Sequence, residues 1–397
     1  MLIGIDGNEA NVNQRVGIGE YSFELLWQFC ENQKSKIKGQ NHNSKFKIYL
    51  KNKPIGSFPR EQDWWRYSVF GPKKFWTQFA LPLNLYLGRP RPNVFFSPTH
   101  YAPRFSPIPT VISIMDLSYI HFPELFKKSD LYQLMNWTAY SVRNAKKVLT
   151  ISQASKDDII KVYRVPEDRV VVTYPGIKQE LGIMNRESGI SRIKKKYGIE
   201  GNYILFVGTL QPRKNIVRLI EAFSHVILRS KATKDLDSSS RPVGTQNDIG
   251  LIIVGKKGWL YEDILRAPKK FGIEDRVKFL DFVSDEDLTL FYQNALCFVL
   301  PSLYEGFGLP VLEAMQYGCP VITSNVSSLP EAGGDAALYI NPEDVSDIAD
   351  NLRLMIDKPQ LRKELIKKGY QQVRKFSWEK TARETLRVLQ ELVAKNF

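Results

Sequence analysis

Short apolar runs alternate with longer amphipathic stretches along almost the whole 397-residue chain. Apolar runs of four to six residues are typical of strands buried on both faces, whereas the stretches between them have helical periodicity. This alternation predicts parallel sheets covered by helices on both sides, which is the α/β class. We predict twelve strands, at 2–6, 47–50, 94–97, 110–115, 147–151, 170–173, 203–207, 251–254, 277–280, 296–300, 320–323 and 337–340.

The predicted strands form two groups of six, which indicates two domains in a chain long enough to bury two cores. Residues 175–177, Pro-Gly-Ile, and the polar stretch up to Gly201 separate the groups. We therefore predict one domain at 1–176 and a second at 177–377. The remaining segment, 378–397, has apolar residues at helical spacing and predicts an amphipathic helix.

With 43% hydrophobic and 25% charged residues, the composition is that of a globular protein. The formal charge of +14 indicates an anionic partner and leaves open a nucleotide donor, an acidic membrane surface or nucleic acid. Three cysteines form no disulfide framework, and residues 1–6 predict a strand rather than a signal peptide. No apolar run approaches the ~18 residues that span a bilayer, so we expect a cytoplasmic protein, soluble or peripheral to a membrane.

The most informative segment is 301–318, which reads PSLYEGFGLPVLEAMQYG and follows a predicted strand. Pro310 suits the first turn of a helix, and Gly318 is a suitable end for it. Glu305 is therefore predicted in the loop, and Glu313 on the helix.

Gly306 and Gly308 flank Phe307 in this loop, and glycine lets the backbone come close to a ligand. The first N–H groups of the following helix point into the same space and favour an anion. Because a carboxylate cannot usefully face a phosphate, we expect Glu305 and Glu313 to accept hydrogen bonds from hydroxyls. The segment predicts a ligand that carries both phosphate and sugar.

Two other loops after predicted strands contain groups that suit a phosphate. Gly208 opens a loop in which Arg213 and Lys214 precede a helix, and these cations would suit a diphosphate. Gly17 and Gly19 lie before the first helix and would let the backbone approach a phosphate. A lone Gly-x-Gly is equally compatible with a plain turn between a loop and a helix.

Glu305 and Glu313, with seven residues between them that include Gly306-Phe307-Gly308-Leu309, resemble the E-x7-E motif of the retaining glycosyltransferases of family four. These enzymes have the GT-B architecture, two Rossmann-like α/β domains with parallel sheets facing across a cleft. The resemblance implies that Glu305 lies by the donor sugar and that Glu313 binds the ribose. It also implies that the Gly306–Leu309 stretch contacts sugar and phosphate, and that helix 378–397 crosses back to complete the first, acceptor-side domain.

The same resemblance implies roles for residues in the other loops. Arg213 and Lys214 match the Arg-Lys pair that holds the donor diphosphate beside Gly208, and with Glu305 they are the expected catalytic residues. Backbone groups near Val283 are expected to recognise the nucleotide base. Independently of the resemblance, the residue pattern predicts that Ser284 caps the following helix and that Asp287 completes a variant of the capping box, a role that needs no ligand. Gly17 and Gly19 match the glycine-rich loop that faces donor and acceptor.

The end of strand 110–115 departs from the family pattern. Many members have a histidine that touches the donor sugar, and Met115 stands in its place here. Asp116 is retained, and His100 and His121 lie nearby in sequence, so one of them could contribute an imidazole, although a surface or packed histidine is the more frequent case. The sequence leaves the donor sugar and its placement open.

We therefore expect a retaining glycosyltransferase that moves a hexose from a nucleotide-diphosphate sugar to a hydroxyl of a saccharide or lipid-linked acceptor. Mannose is favoured, and GDP-mannose is the first candidate donor, with UDP-sugars next. No metal or other cofactor is expected, because the sequence contains no cluster with metal-ligand spacing and the cations at 213–214 can stabilise the leaving diphosphate.

The sequence is also compared with other functions. A nucleotide-sugar epimerase shares the architecture, and a nonenzymatic protein that binds anionic surfaces would explain the charge. A dehydrogenase fingerprint is missing, because Gly17-Ile18-Gly19 is far from the strand and lacks its third glycine. Nucleic acid is not expected, since no basic-aromatic recognition motif is present. Aromatic and basic residues at 64–67 and 73–76 suit peripheral contact with an anionic membrane, although aromatic residues more often belong to a core.

Overall fold

The computed structural model describes residues 1–15, 17–37, 44–178, 186–234 and 249–394. The described residues divide into two compact units. The first contains those up to Lys178 and those from Phe376 onward, and the second contains those in between. The sequence places the corresponding boundaries at 176 and 378, and the last three residues of the predicted terminal helix lie outside the described ranges.

The first unit contains a parallel sheet in the order β3-β2-β1-β4-β5-β6-β7. Its strands are β1 (Leu2–Asp6), β2 (Lys45–Leu50), β3 (Trp65–Val69), β4 (Val94–Ser97), β5 (Thr110–Ile114), β6 (Lys147–Thr150) and β7 (Val170–Val172). The helices between them are α1 (Ile18–Ile37), α2 (Ala80–Leu87), α3 (Ser118–His121), α4 (Lys128–Asn144) and α5 (Gln153–Tyr163). The α/β class with parallel sheets is confirmed.

The prediction of six strands in this unit is wrong, because it omits β3. This strand lies at the edge of the sheet and pairs with β2. Trp65 is buried against Phe46, with ring centroids 5.4 Å apart, whereas Arg66 is exposed. The mixture of aromatic and basic residues at 64–67 is thus the alternation of an edge strand, and Trp65 faces the core.

The second unit contains a six-stranded parallel sheet in the order β10-β9-β8-β11-β12-β13, and all six strands were predicted. Its strands are β8 (Asn202–Val207), β9 (Ile249–Val254), β10 (Val277–Leu280), β11 (Cys297–Leu300), β12 (Val321–Ser324) and β13 (Ala337–Ile340). Its helices are α6 (Arg186–Tyr197), α7 (Ile216–Lys234), α8 (Glu262–Lys270), α9 (Asp285–Asn294), α10 (Leu309–Gln316), α11 (Leu329–Gly333), α12 (Val345–Asp357) and α13 (Pro359–Val373).

The last described helix, α14 (Trp378–Ala394), packs in the core of the first unit. Trp378 lies edge-on to Tyr21 with ring centroids 6.0 Å apart, and Thr381 Oγ1 donates a 2.6 Å hydrogen bond to the carbonyl of Tyr174. A Cβ at Gly176 would lie 2.0 Å from the backbone nitrogen of Trp378, so only glycine allows this approach. Across the described ranges, no helix is both long and apolar enough to cross a membrane.

The order of the second sheet determines where a ligand can bind. Strand order reverses between β8 and β11, which are neighbours although β9 and β10 separate them in the chain. In open parallel sheets, ligands bind beyond the carboxyl ends of the strands at such a point. The loops after β8 and β11 contain Arg213, Lys214 and Glu305.

Candidate active site

The loops after β8 and β11 are joined by hydrogen bonds from the backbone and from one asparagine. Asn215 Nδ2 donates to the carbonyls of Pro301 (3.0 Å) and Pro342 (2.6 Å), and Leu303 N donates to the carbonyl of Arg213 (2.9 Å). Asn215 has a φ of +59° and ends the short 3₁₀ turn Pro212–Lys214. These bonds fix the positions of the two cations relative to the second loop.

Glu305 is the centre of a buried ionic cluster. Its Oε1 accepts hydrogen bonds from Lys214 Nζ (2.5 Å) and Ser302 Oγ (2.6 Å), and its Oε2 accepts one from Arg213 Nη1 (3.1 Å). Arg213 Nη1 also donates to the carbonyl of Tyr304. The structure therefore brings together the three predicted catalytic residues, with two positive charges around one carboxylate.

The cluster keeps Glu305 ionised. Burial by itself would raise the pKa of its carboxyl group, but the charges of Lys214 and Arg213 and the hydrogen bonds from Lys214 and Ser302 outweigh it and lower the pKa to about 2. The side chains of Lys214 and Glu305 are each 10% exposed, so solvent screens their interaction only weakly. One net positive charge remains on the cluster, which suits an anionic ligand.

Three serines hold Glu305 in place, and the sequence analysis missed all three roles. Besides the bond from Ser302, Glu305 N donates to Ser327 Oγ (3.0 Å), and Ser328 Oγ donates to the carbonyl of Glu305 (2.8 Å). Ser302 lies three residues before Glu305 in a loop already singled out, and that proximity was the available signal. Ser327 and Ser328 follow β12, and no local pattern marks them.

The loop continues into α10 as predicted, with Glu305 in the loop and Glu313 on the helix. Gly308 precedes the helix with a φ of +100°, and a Cβ there would lie 2.7 Å from Leu329 Cδ2. Gly306 is buried, and the Phe307 side chain is only 2% exposed. Phe307 can therefore meet a ligand only through its backbone, beside the N-terminus of α10 that Leu309 begins.

Glu313 has a hydrogen-bond donor that the sequence analysis did not identify. The hydroxyl of Tyr292, on α9, donates to Glu313 Oε2 (3.2 Å). Tyr292 is buried and stacks on Tyr317, with ring centroids 5.9 Å apart. Burial, followed by the nearby Glu313 charge, holds the pKa of Tyr292 well above its usual range, so the phenol keeps its proton and can donate.

Gly208 lies at the carboxyl end of β8 beside Lys214. A Cβ on Gly208 would be 3.7 Å from Lys214 Cε. The Gly208 N–H already donates to the carbonyl of Val254 (2.9 Å), so it is used within the sheet. A Cβ on Gly255, after β9, would lie 2.0 Å from the Gly208 oxygen, so the two loops pack backbone to backbone.

Val283 lies after β10, at the same edge of the sheet as the ionic cluster. The predicted cap is confirmed, because Ser284 Oγ accepts a 3.3 Å hydrogen bond from Asp287 N. The predicted capping box is wrong. The Asp287 carboxylate instead accepts hydrogen bonds from Arg192 (2.8 Å), Lys196 (2.5 Å) and Tyr197 (2.8 Å), which attach α6 to α9.

Gly17 and Gly19 belong to the first unit, at the start of α1. The carbonyl of Gly17 accepts a hydrogen bond from Tyr21 N (3.0 Å), and a Cβ at Gly17 would meet no atom within 4 Å. A Cβ at Gly19 would lie 2.9 Å from the carbonyl oxygen of Glu9, so the chain folds tightly back at this point. The loop is therefore open at Gly17 and closely packed at Gly19.

His100 lies beside Met115, where a histidine was expected. Met115 N donates to His100 Nε2 (3.2 Å), which leaves the proton of a neutral ring on Nδ1. Burial lowers the pKa of His100, although Asp116 acts in the opposite direction, so the neutral ring is favoured. His121 Nε2 is 2.9 Å from Asp158 Oδ2, and this pair joins α3 to α5. Of the two candidate histidines, His100 is therefore the one whose ring lies beside Met115.

Within the part of the chain that the structure describes, no three or more His, Cys, Asp or Glu side chains are grouped so that they could hold a metal ion. The positive charges at the candidate site come from Arg213 and Lys214.

Two families match the chain. Residues 189–372 match the family described as "Glycosyl transferases group 1", and residues 56–181 match "Glycosyltransferase Family 4". O-antigen chain mannosyltransferase B of Escherichia coli is 33% identical over 277 residues, which cover 70% of this chain and 68% of that protein. Serotype-specific mannosyltransferase WbdA of Escherichia coli is 32% identical over 241 residues, which cover 60% of this chain and 28% of that longer protein.

The fold is also similar to that of solved structures. Anabaena HepE in complex with UDP and glucose superposes with a TM-score of 0.69 and 17% identity, over 98% of this chain and 99% of that one. At this identity the likeness shows the fold alone, which is GT-B. Together with the relatives, it means that the chain belongs to the group 1 glycosyltransferases of family 4. It is a glycosyltransferase, so the nonenzymatic alternative is set aside.

Proposed function

We propose that this enzyme transfers mannose from GDP-mannose to a hydroxyl of a saccharide or lipid-linked saccharide acceptor, with retention of the anomeric configuration. The observation that carries the proposal is the buried cluster of Arg213, Lys214 and Glu305 beside the N-terminus of α10. Mannose is supported by the relatives, since both of the E. coli proteins described above are mannosyltransferases. GDP is chosen over UDP because the family resemblance favours it.

The two cations and the helix N-terminus act on the leaving group. As the bond between the anomeric carbon and the diphosphate oxygen breaks, negative charge grows on the diphosphate. Arg213 and Lys214 stabilise that charge, as does the N-terminus of α10. This arrangement supplies positive charge without a metal ion, and we propose a reaction that needs no cofactor.

Glu305 positions groups rather than attacking the sugar. A carboxylate with a pKa of about 2 that already accepts hydrogen bonds from Lys214, Ser302 and Arg213 is a weak nucleophile and a weak base. Its negative charge can still orient sugar hydroxyls and stabilise an oxocarbenium-like carbon. We therefore favour front-face substitution, in which the acceptor oxygen bonds to the anomeric carbon while its proton passes to the departing diphosphate.

Glu313 and the backbone near Val283 complete the donor site in this proposal. Glu313, held by Tyr292, accepts hydrogen bonds from the ribose hydroxyls, and the backbone near Val283 contacts the base. Gly17 and Gly19 are assigned to a loop that faces both donor and acceptor. Many family members have a histidine at the position of Met115, and we assign the role of that histidine to His100. Its Nδ1–H would be the hydrogen-bond donor.

The test is a screen of nucleoside-diphosphate release with GDP-mannose and a panel of UDP-sugars, each with and without a saccharide acceptor. We expect release with GDP-mannose that depends on the acceptor, and an axial-to-axial relationship between donor and product in the anomeric NMR signals. Acceptor-independent conversion of the sugar would instead indicate an epimerase.

Substitutions test whether this activity depends on the proposed site. Glu305→Ala and Lys214→Ala are expected to reduce turnover by about a hundredfold or more. Lys196→Ala is a matched control, because Lys196 also lies 2.5 Å from a carboxylate but on the α6 side of the unit. If both site variants release as much diphosphate as the wild type with every donor, the site is wrongly assigned.

A further inference from the structure

An apolar stripe runs along the exposed side of α2 and the turn before it. We define the α2 stripe as Phe75, Phe79, Leu83 and Leu87, which are 52%, 69%, 59% and 71% exposed. They recur every four residues, and Phe79 N donates to the Phe75 carbonyl and Leu83 N to the Phe79 carbonyl, each at 3.0 Å. Phe79, at the N-cap of α2, and Leu83 and Leu87 within it therefore lie on one side of the helix, and the Phe75 ring in the preceding turn contacts that of Phe79, with ring centroids 6.4 Å apart.

The core does not explain this stripe. The opposite side of α2 is already buried through Ala80, Leu81 and Leu85, which pack with Trp76. Asn84 is the one polar residue in the eight-residue helix, so α2 is apolar on both its buried and its exposed side. A helix of this kind is expected only where its outer face is also removed from water.

The charges around the stripe have one sign. From Trp64 to Met115 the sequence contains no Asp or Glu, but it contains six Lys and Arg residues. Lys73 and Lys74 precede the stripe, and Arg89 and Arg91 follow it, and all four are exposed. In the described part of the chain, none of these four has a salt bridge with a carboxylate.

We propose that the α2 stripe is a membrane-docking surface, with its four apolar side chains inserted among the acyl chains of an anionic bilayer. Lys73, Lys74, Arg89 and Arg91 would contact the phosphates of the headgroups. The combination of exposed Phe and Leu with cations at both ends is what an interfacial helix requires. Neither the apolar stripe nor the cations alone would select a lipid surface over another protein, but the two together favour it.

This surface differs from the one that the sequence indicated. Trp65 and Trp76 are buried, and so cannot reach a membrane. Lys73, Lys74 and Phe75 belong both to the segment indicated by the sequence and to the surface proposed here, while Phe79, Leu83 and Leu87 were not recognised. The proposal concerns only the first unit and is independent of the donor that the enzyme uses.

The test is co-sedimentation of the full chain with vesicles of phosphatidylcholine alone and of phosphatidylcholine mixed with phosphatidylglycerol. The wild type should bind the mixed vesicles more tightly. Phe79→Ser combined with Leu83→Ser should weaken that binding by about a hundredfold, since each removes a large inserted side chain. Lys73→Gln combined with Lys74→Gln should weaken it about tenfold at low salt and by less at high salt.

Tyr132→Ser on α4 is the matched control, because Tyr132 is also 69% exposed but lies outside the stripe. It should bind as the wild type does. Circular dichroism and the thermal midpoint should show that every variant is folded. The proposal is overturned if the wild type does not bind the mixed vesicles, or if the Phe79/Leu83 variant binds them equally well. It is also overturned if that variant only converts a dimer to a monomer, because the stripe would then join two copies of the chain.

Discussion

Lys214 and Glu305 form a 2.5 Å salt bridge between Nζ and Oε1, although 91 residues separate them in the chain. The pair exists because β8 and β11 are neighbours in the sheet, which brings their following loops together. Arg213 adds a second cation on the other carboxylate oxygen. Lys214 and Arg213 join the two loops through Glu305, and they also carry the net positive charge that suits an anionic ligand. We therefore expect substitutions at this site to change the stability of the protein and its affinity for the donor together.

Removing the carboxylate is expected to destabilise the protein. Glu305→Ala leaves Lys214 and Arg213 nearly buried without their partner, which costs about 3–5 kcal/mol. Urea unfolding measures the loss. Asp350→Ala is the control, because it breaks the exposed pair with Arg353 and should cost less than about 1 kcal/mol. Equal losses of unfolding free energy in the two variants would show that the buried cluster contributes no more to stability than an exposed salt bridge.

The stability of the first unit should depend on the protonation of Asp6. Burial raises the pKa of Asp6 to about 6, while the hydrogen bonds from Asn8 act in the opposite direction. The folded state therefore binds this proton more tightly than the unfolded state, so its contribution to stability rises as pH falls from about 6 to about 4.

Asp6→Asn tests this pH dependence, because the amide oxygen can still accept the bonds from Asn8 but cannot ionise. The variant should be more stable than the wild type by up to about 3 kcal/mol near pH 8, with the difference vanishing near pH 4. Thermal unfolding across this range measures it. A constant difference at every pH would show that Asp6 does not titrate in this window.

Tyr292→Phe should weaken donor binding without slowing the chemical step. The change removes the hydrogen bond that holds Glu313, which we propose binds the donor ribose, and an interaction with the ribose would be equal in the ground and transition states. We expect the KM for the donor to rise about five- to tenfold with kcat unchanged. Tyr197→Phe, which loses the bond to Asp287 instead, should leave KM unchanged. A lower kcat at constant KM would contradict the ribose-binding role of Glu313.

Gly308→Ala should destabilise the protein and impair catalysis. Alanine would have to adopt a φ near +100°, and its Cβ would lie 2.7 Å from Leu329 Cδ2. Together these two effects cost about 2–3 kcal/mol of folding stability. Gly17→Ala is the control, because its φ of +51° is more accessible and no atom lies within 4 Å. Its cost should be about 1 kcal/mol. The thermal midpoint of each variant measures its loss. Gly308→Ala suffers both backbone strain and crowding, whereas Gly17→Ala suffers backbone strain alone.

Much of the fold could be predicted because most strands are buried on both faces and appear as apolar runs. Four of the six strands of the second sheet, β8, β9, β11 and β12, have this pattern, whereas β10 and β13 are only partly buried. The edge strand β3 does not, since Trp65 is buried while Arg66 is exposed, and an aromatic-basic alternation is also compatible with an interfacial segment. β3 escaped prediction because only part of its surface is covered, although the other edge strands, β7, β10 and β13, were predicted.

The candidate site was predictable only where its residues are close together in sequence. Glu305, Glu313 and the glycines between them form one segment whose turn and helix follow from local rules. Tyr292, Ser327 and Ser328 reach the same segment from other elements, and a lone tyrosine or serine carries no local signal. The pairing of both cations with Glu305 was likewise not foreseen, since it depends on which strands are neighbours.

The most direct test of the proposed donor site is the affinity of the apo enzyme for GDP and UDP, measured by calorimetry for the wild type and for Lys214→Ala, Arg213→Ala and Lys196→Ala. We expect one nucleoside diphosphate to bind the wild type, each of the first two substitutions to weaken binding at least about tenfold, and Lys196→Ala to leave it unchanged. Unchanged affinity in both Lys214→Ala and Arg213→Ala would contradict the claim that the cluster around Glu305 is the donor diphosphate site.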